Sequence, residues 1–189
     1  MKELMGWVRS IAFAIVFALV LGIFVFQPYK VDGHSMDPTL QDQQRIYVSK
    51  LSHTFSYLPD YGDIVVIDSR VERKRSLVDD VVSHPLVALV TGKADDDHSM
   101  YVKRVIGKPG DVLEFKDNQV YRNGTVLNEP YIKETMEYVS DGKVTVPANH
   151  IFVMGDNRNH STDSREIGFI PLDHIMGTMI QNPFTNEEK

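Results

Sequence analysis

The chain has 189 residues, 42% of them apolar, a formal net charge of −6 and no cysteine. That length suits one domain and an anchor. The acidic balance excludes a nucleic-acid footprint and a polybasic membrane patch, and the missing thiols exclude a disulfide framework, cysteine catalysis and a thiolate zinc site.

Residues 1–9 form a short amphiphilic tail with Lys2, Glu3 and Arg9. From Ser10 to Tyr29 no residue is charged, and about twenty apolar residues are the length of a helix that crosses a bilayer. Trp7 and Tyr29 stand near its ends, where interfacial aromatics belong. Phe24-Val25-Phe26-Gln27-Pro28 offers no small-residue cleavage site, so the expectation for 10–29 is a retained transmembrane helix rather than a cleavable leader or a buried core helix. Lys2 and Arg9 before the run, against Lys30 and Asp32 after it, favour a cytoplasmic N-terminus only slightly.

Residues 30–189 read as a β domain. Gly33-His34-Ser35-Met36-Asp37-Pro38-Thr39-Leu40 comes first, a rigid loop that suits a nucleophile and equally suits a surface turn. Strands are expected at Arg45–Val48, within Gly62–Ile67 and at Tyr101–Gly107. Between them, 68–100 is heterogeneous, with charged (72–75), apolar (81–90) and acidic (95–97) patches. It reads as an excursion from the sheet holding a short helix or hairpin at 86–90. Val112–Leu127 reads as a meander with turns at Asp117-Asn118 and Asn123-Gly124. Further strands are expected at Val144–Pro147, Ile151–Met154, Gly168–Pro171 and Ile175–Ile180, with a loose tail from Thr185. Short strands separated by turns predict a mainly antiparallel β domain.

A serine nucleophile needs a base. Lys103 lies in an apolar strand, where burial lowers a lysine's pKa and makes a general base of it; a snorkelling lysine on an edge strand fits the same residues. Arg104, on the opposite face, cannot deprotonate and is structural if buried. Gly155–Arg165 is a dense polar loop between apolar strands, offering Asp156, Ser161 and Asp163, with Arg158 and Arg165 to neutralise them, or else a solvated loop of surface ion pairs. His34, His150 and His160 permit a Ser-His-Asp arrangement, best as His160 with Asp163. A metal site from His150, Asp156 and His160 matches no standard ligand spacing.

The ordered set of an apolar anchor, Gly-x-Ser-Met-x-Pro-Thr-Leu, Gly-Asp-Ile-Val, Tyr-Val-Lys-Arg-Val-Ile-Gly-x-Pro-Gly-Asp and Gly-Asp-Asn-Arg-x-x-Ser-x-Asp-Ser-Arg resembles bacterial type I signal peptidase, a membrane-bound serine protease that removes signal peptides from exported proteins. The single span, the modest length and the absence of cysteine resemble its Gram-positive branch. The resemblance implies an antiparallel β-sheet catalytic domain outside the membrane, preceded by one transmembrane helix. It implies Ser35 as nucleophile and Lys103 as general base, with Ser161 hydrogen-bonded to the lysine, Asp163 and Arg165 in support, and Asp156 with Arg104 as a structural ion pair. It also implies oxyanion or substrate contacts from Ser35, Gly33, Met36 and Val31. Many Gram-negative members carry an oxyanion-binding hydroxyl two residues before the nucleophile; here that residue is Gly33. The implied partners are signal peptides with small residues at the first and third positions before the cut, and the lipid bilayer; no nucleic acid, cofactor or metal is implied. Two rivals stand beside this reading: a hydrolase using Ser35 with His160, and a non-enzymatic anchored β module.

Overall fold

A computed structural model describes residues 2–51, 58–71, 99–140 and 142–180. Helix α1 spans Lys2–Phe24. Its side chains are described over 5–18, and all of these are exposed. Among the described residues no helix is long and apolar enough to cross a membrane. The helix ends before the expected boundary at Tyr29, because Phe26–Lys30 is a strand, β1. Pro28 explains the break: it has no N–H to continue a helix and disfavours helical backbone at Gln27. A sheet edge tolerates such a proline, and among the described residues β1 lies at the edge, paired with β2 (Arg45–Ser49).

Strands β3 (Ile64–Asp68), β4 (Met100–Gly107), β9 (His150–Met154), β10 (Ile170–Pro171) and β11 (Ile175–Met179) complete the main sheet. Its order is β1-β2-β11-β3-β4-β9-β10, with antiparallel pairings throughout. A second antiparallel sheet, in the order β7-β6-β5-β8, contains β5 (Val112–Lys116), β6 (Gln119–Arg122), β7 (Thr125–Val126) and β8 (Lys143–Thr145). The mainly antiparallel β class is therefore as expected. Both predicted meander turns hold consecutive positive φ angles, +52° and +60° at Asp117-Asn118 and +55° and +82° at Asn123-Gly124. That geometry matches the twist of the flanking strands.

Asp68 closes β3 opposite Met100, which opens β4, so the expected excursion leaves and re-enters the sheet on neighbouring strands. Its charged, apolar and acidic patches, and the helix or hairpin expected at 86–90, lie outside the described residues, as does the tail from Thr185. The apolar side chains form three clusters. One gathers Val31, Met36, Leu40, Ile46, Val48, Ile64, Val66 and Met176 beneath the Ser35 loop. A second, around Leu113, Phe115 and Phe152, joins the two sheets. The third, around Val65, Val105 and Val153, covers the face of β4 that carries Tyr101.

Candidate active site

Alternation along β4 sends Lys103 to the face of Tyr101 and Val105 and Arg104 to the other. Both faces are covered. Lys103 is 3% exposed, and its Nζ lies 5.2 Å from the centre of the Tyr101 ring. The edge-strand alternative is excluded, since β4 lies between β3 and β9. Lys103 Nζ is 2.8 Å from Ser35 Oγ. Burial drives the lysine down from its usual value to about 8, opposed by the charge of Asp163, assisted by Arg165 and opposed again by Asp156. The structure thus joins residues 68 positions apart in the chain into a hydroxyl and an amine within proton-transfer distance.

The loop bearing Ser35 is pinned from several sides. The Gly33 N–H donates to Asp42 Oδ1 at 2.8 Å, and Gly33 adopts a φ of +87° that side-chain-bearing residues rarely take. The Gly33 N–H is thus already engaged by Asp42. Met36 (1% exposed) and Val31 (4%) are packed into the cluster beneath the loop. Their side chains belong to the core, packed with Leu40 and Val66. Among the described residues, the Ser35 N–H has no hydrogen-bond acceptor.

The polar loop 155–165 begins beside this pair because β9 ends with Met154 opposite Arg104. Gly155 is required by close approach: a Cβ there would collide with Ser161 Oγ and with the carbonyl oxygen of Ser35. Asp156, fully buried, accepts from Arg104 Nε at 2.8 Å and also from Arg104 Nη2 and Thr39 Oγ1. Arg104 also donates to the Gly62 carbonyl and stacks its guanidinium 4.0 Å from the Tyr131 ring. This is the expected ion pair, and it ties β4, the Ser35 loop and loop 155–165 together.

Asp163 is also fully buried. It caps helix α2 (Ser164–Ile167) and accepts from the Gly155 N–H at 2.9 Å, Ser161 Oγ at 2.8 Å and Arg165 Nη2 at 2.7 Å through Oδ2, with Arg165 Nε at 2.8 Å on Oδ1. Here the structure departs from the reading in which Ser161 bonds the lysine. The Ser161 hydroxyl donates to Asp163, and its hydrogen bond to Lys103 is not formed among the described residues. A carboxylate is the stronger acceptor for a hydroxyl proton. Arg158 does not neutralise the loop's aspartates, although its place in the loop suggests that role. It instead forms a two-pronged pair with Glu129, at 2.8 and 2.6 Å, and is 2% exposed.

The histidines are not brought to the serine. His160 is exposed, with Nε2 4.0 Å from Glu134. His34 leans on Asp37 at 3.4 Å, and a His150 ring nitrogen lies 2.8 Å from the Ala148 carbonyl. Asp163 has both oxygens occupied by other donors, so the Ser-His-Asp arrangement is not built. The set His150, Asp156 and His160 does not converge as a metal site either; Asp156 faces Arg104 while His160 faces Glu134. Thr39, Tyr131, Glu129 and Asn157 also contribute to the site without having been singled out by their sequence positions. Of these, Thr39 and Asn157 stand inside the motifs quoted above, which was the available signal; Glu129 and Tyr131 lie in an irregular segment that carries none.

Comparison with known proteins agrees with the motifs. The family model for signal peptidase, peptidase S26, matches residues 4–182. Signal peptidase I of Bacillus licheniformis is 38% identical over 189 residues, covering 94% of this chain and 87% of that protein. Signal peptidase I S of Bacillus subtilis strain 168 is 36% identical, covering 100% of this chain and 94% of that protein. Signal peptidase IB of Staphylococcus aureus strain Mu50 is 33% identical, covering 93% and 87%. The crystal structure of a signal peptidase I from Enterococcus faecalis V583 is similar over 65% of this chain and 97% of that one, with 26% identity and a TM-score of 0.45. With a family match over nearly the whole chain and relatives of comparable length, the chain belongs to the signal peptidase family, peptidase S26, as a bacterial type I signal peptidase and serine endopeptidase.

Proposed function

We propose that this enzyme removes signal peptides from exported preproteins by a Ser35/Lys103 dyad. The single observation that carries the reading is the 2.8 Å contact between Ser35 Oγ and the buried Lys103 Nζ. The neutral amine takes the Ser35 proton as Oγ attacks the scissile carbonyl. The developing oxyanion lies against the Ser35 N–H. The resulting ammonium returns its proton to the leaving amine, and the signal peptide's carboxyl end stays as an ester on Ser35. Water then enters, Lys103 again serves as base, and the acid is released as the ester bond breaks.

Asp163 holds Ser161 and the Gly155 N–H in place, and its negative charge keeps Lys103 from falling further below its usual pKa. Arg165 neutralises that carboxylate locally. In this reading α1 belongs to a single membrane span with a cytoplasmic N-terminus, and residues 30–189 lie outside the membrane. A nucleophile so few residues beyond its own anchor meets a cleavage site that emerges just outside the bilayer. Small residues at the first and third positions before the cut are the specificity expected of shallow pockets.

The test is cleavage of a preprotein by the detergent-solubilised chain. Lys103→Ala and Ser35→Ala should each be folded and lose activity by several orders of magnitude. Appreciable cleavage by folded Lys103→Ala would move the base elsewhere.

A further inference from the structure

We infer that Asn157 positions the oxyanion donor by gripping the peptide unit on the N-terminal side of the nucleophile. This rests on the dyad reading above, which makes the Ser35 N–H that donor. Asn157 Nδ2 donates to the His34 carbonyl at 3.0 Å, and the Asn157 backbone N–H donates to the Ser35 carbonyl at 3.0 Å. One residue thus reaches both carbonyls that flank Ser35, and at the His34 oxygen its side chain adds to the longer bond from the Asp37 N–H at 3.2 Å.

The His34–Ser35 bond is trans, since the cis bond among the described residues is Asp37–Pro38. In a planar trans peptide the N–H points opposite to the C=O. Fixing the His34 oxygen therefore fixes the direction of the Ser35 N–H. A flip of that peptide would turn the donor away from the reacting carbonyl without moving Ser35 Oγ far from Lys103. The Asn157 amide can hold it only one way round. Its Oδ1 is buried with no hydrogen-bond partner among the described residues. Swapping the amide's ends would set two acceptors face to face, so the donor end stays on His34. Asn157 is 1% exposed, and its loop passes so near the Ser35 carbonyl that a Cβ at Gly155 would collide with it, which leaves the grip little slack. Asn157 touches no reacting atom here; it acts through the backbone.

The experiment uses the full chain in detergent, with Asn157→Ala and the isosteric Asn157→Asp, which keeps the volume but loses the amide donor. The substrate is a peptide with small residues at the first and third positions before the cut. The matching peptide aldehyde serves as inhibitor, because addition of Ser35 Oγ to it gives a tetrahedral adduct whose oxygen sits where the oxyanion would. On the alkaline plateau, kcat should fall about 10- to 100-fold in both variants with KM unchanged. Aldehyde affinity should fall by the same factor, and the acid limb of Asn157→Ala should stay where the wild type has it. Wild-type kcat and aldehyde affinity in Asn157→Asp would overturn the inference. So would a loss residing in KM, or one that spares the aldehyde. If Ser35→Ala still cleaves, the dyad reading fails; if Ser35→Ala is inactive while both Asn157 variants match wild type, only this inference fails.

Discussion

Lys103 is held where its charge is unwelcome, and two measurable consequences follow, a rise with pH in activity and a rise with pH in stability. Its pKa is about 8 in the fold because burial disfavours the ammonium. The base form carries the proposed reaction, so kcat/KM should rise with pH through about 8 and level above it. An acid limb at histidine-like pH that disappears in His160→Ala would contradict this. For stability, the unfolded chain keeps its lysine protonated up to its ordinary pKa near 10.4, while the folded chain releases that proton near 8. Between these values the unfolded state binds more protons, so stability rises with pH across that window and is lowest below it. Replacing the group removes the penalty. Lys103→Met should abolish cleavage yet stabilise the fold at pH 7, by on the order of 3 kcal/mol at most. A melting temperature below wild type in that variant would show that the Ser35 hydrogen bond outweighs the cost of burial.

At the scale of elements, β4 is the organising strand. It sends Lys103 to one face and Arg104 to the other, and Arg104 locks β4 to loop 155–165 through Asp156. The Arg104 side chain is 11% exposed and the carboxylate fully buried. Removing one partner leaves a buried charge uncompensated, which costs about 3–5 kcal/mol. Asp156→Ala should therefore lower the melting temperature by roughly 10 °C for a domain of this size. Asp156 also raises the Lys103 pKa, so its loss should shift the acid limb of activity to lower pH; a limb moving upward would contradict the geometry.

The strands of both sheets were legible because each carries its own alternation or β-branched run between turn residues. β1 was not, because Phe26–Lys30 continues an apolar run and only Pro28 marks the change. At the site, Ser35, Lys103, Asp156 and Arg104 stood out through the family resemblance of the ordered motifs, the residues alone leaving a surface turn and a snorkelling lysine open. The direction of Ser161 toward Asp163, the pairing of Arg158 with Glu129 and the core burial of Val31 and Met36 were not legible. Each depends on a competition between nearby partners that only three-dimensional placement resolves, such as an acceptor 29 residues away for Arg158.

Taken as a whole, the molecule couples its N-terminal helix to the catalytic sheet through one short element, and that gives a sharp boundary for truncation. α1 ends at Phe24, and the Lys50 N–H donates to the Val25 carbonyl at 2.8 Å. From there β1 pairs residue by residue with β2, from Phe26 opposite Ser49 to Lys30 opposite Arg45. β2 in turn pairs with β11 and contributes Ile46 and Val48 to the cluster beneath the Ser35 loop. Helix and strand should therefore separate in function. A chain beginning at Val25 keeps every β1 pairing and should fold, cleave a short peptide in solution with near-wild-type kcat, and leave the membrane fraction if α1 is the span. A chain beginning at Val31 loses β1, bares the β2 edge and loosens the floor under Met36. It should melt lower and cleave the same peptide more slowly even though Ser35 and Lys103 are intact. The comparison separates anchoring from catalysis. Equal melting temperatures for the two truncations would show that β1 is only a tether, and a Val25 chain that stays in the membrane fraction would place the attachment outside α1.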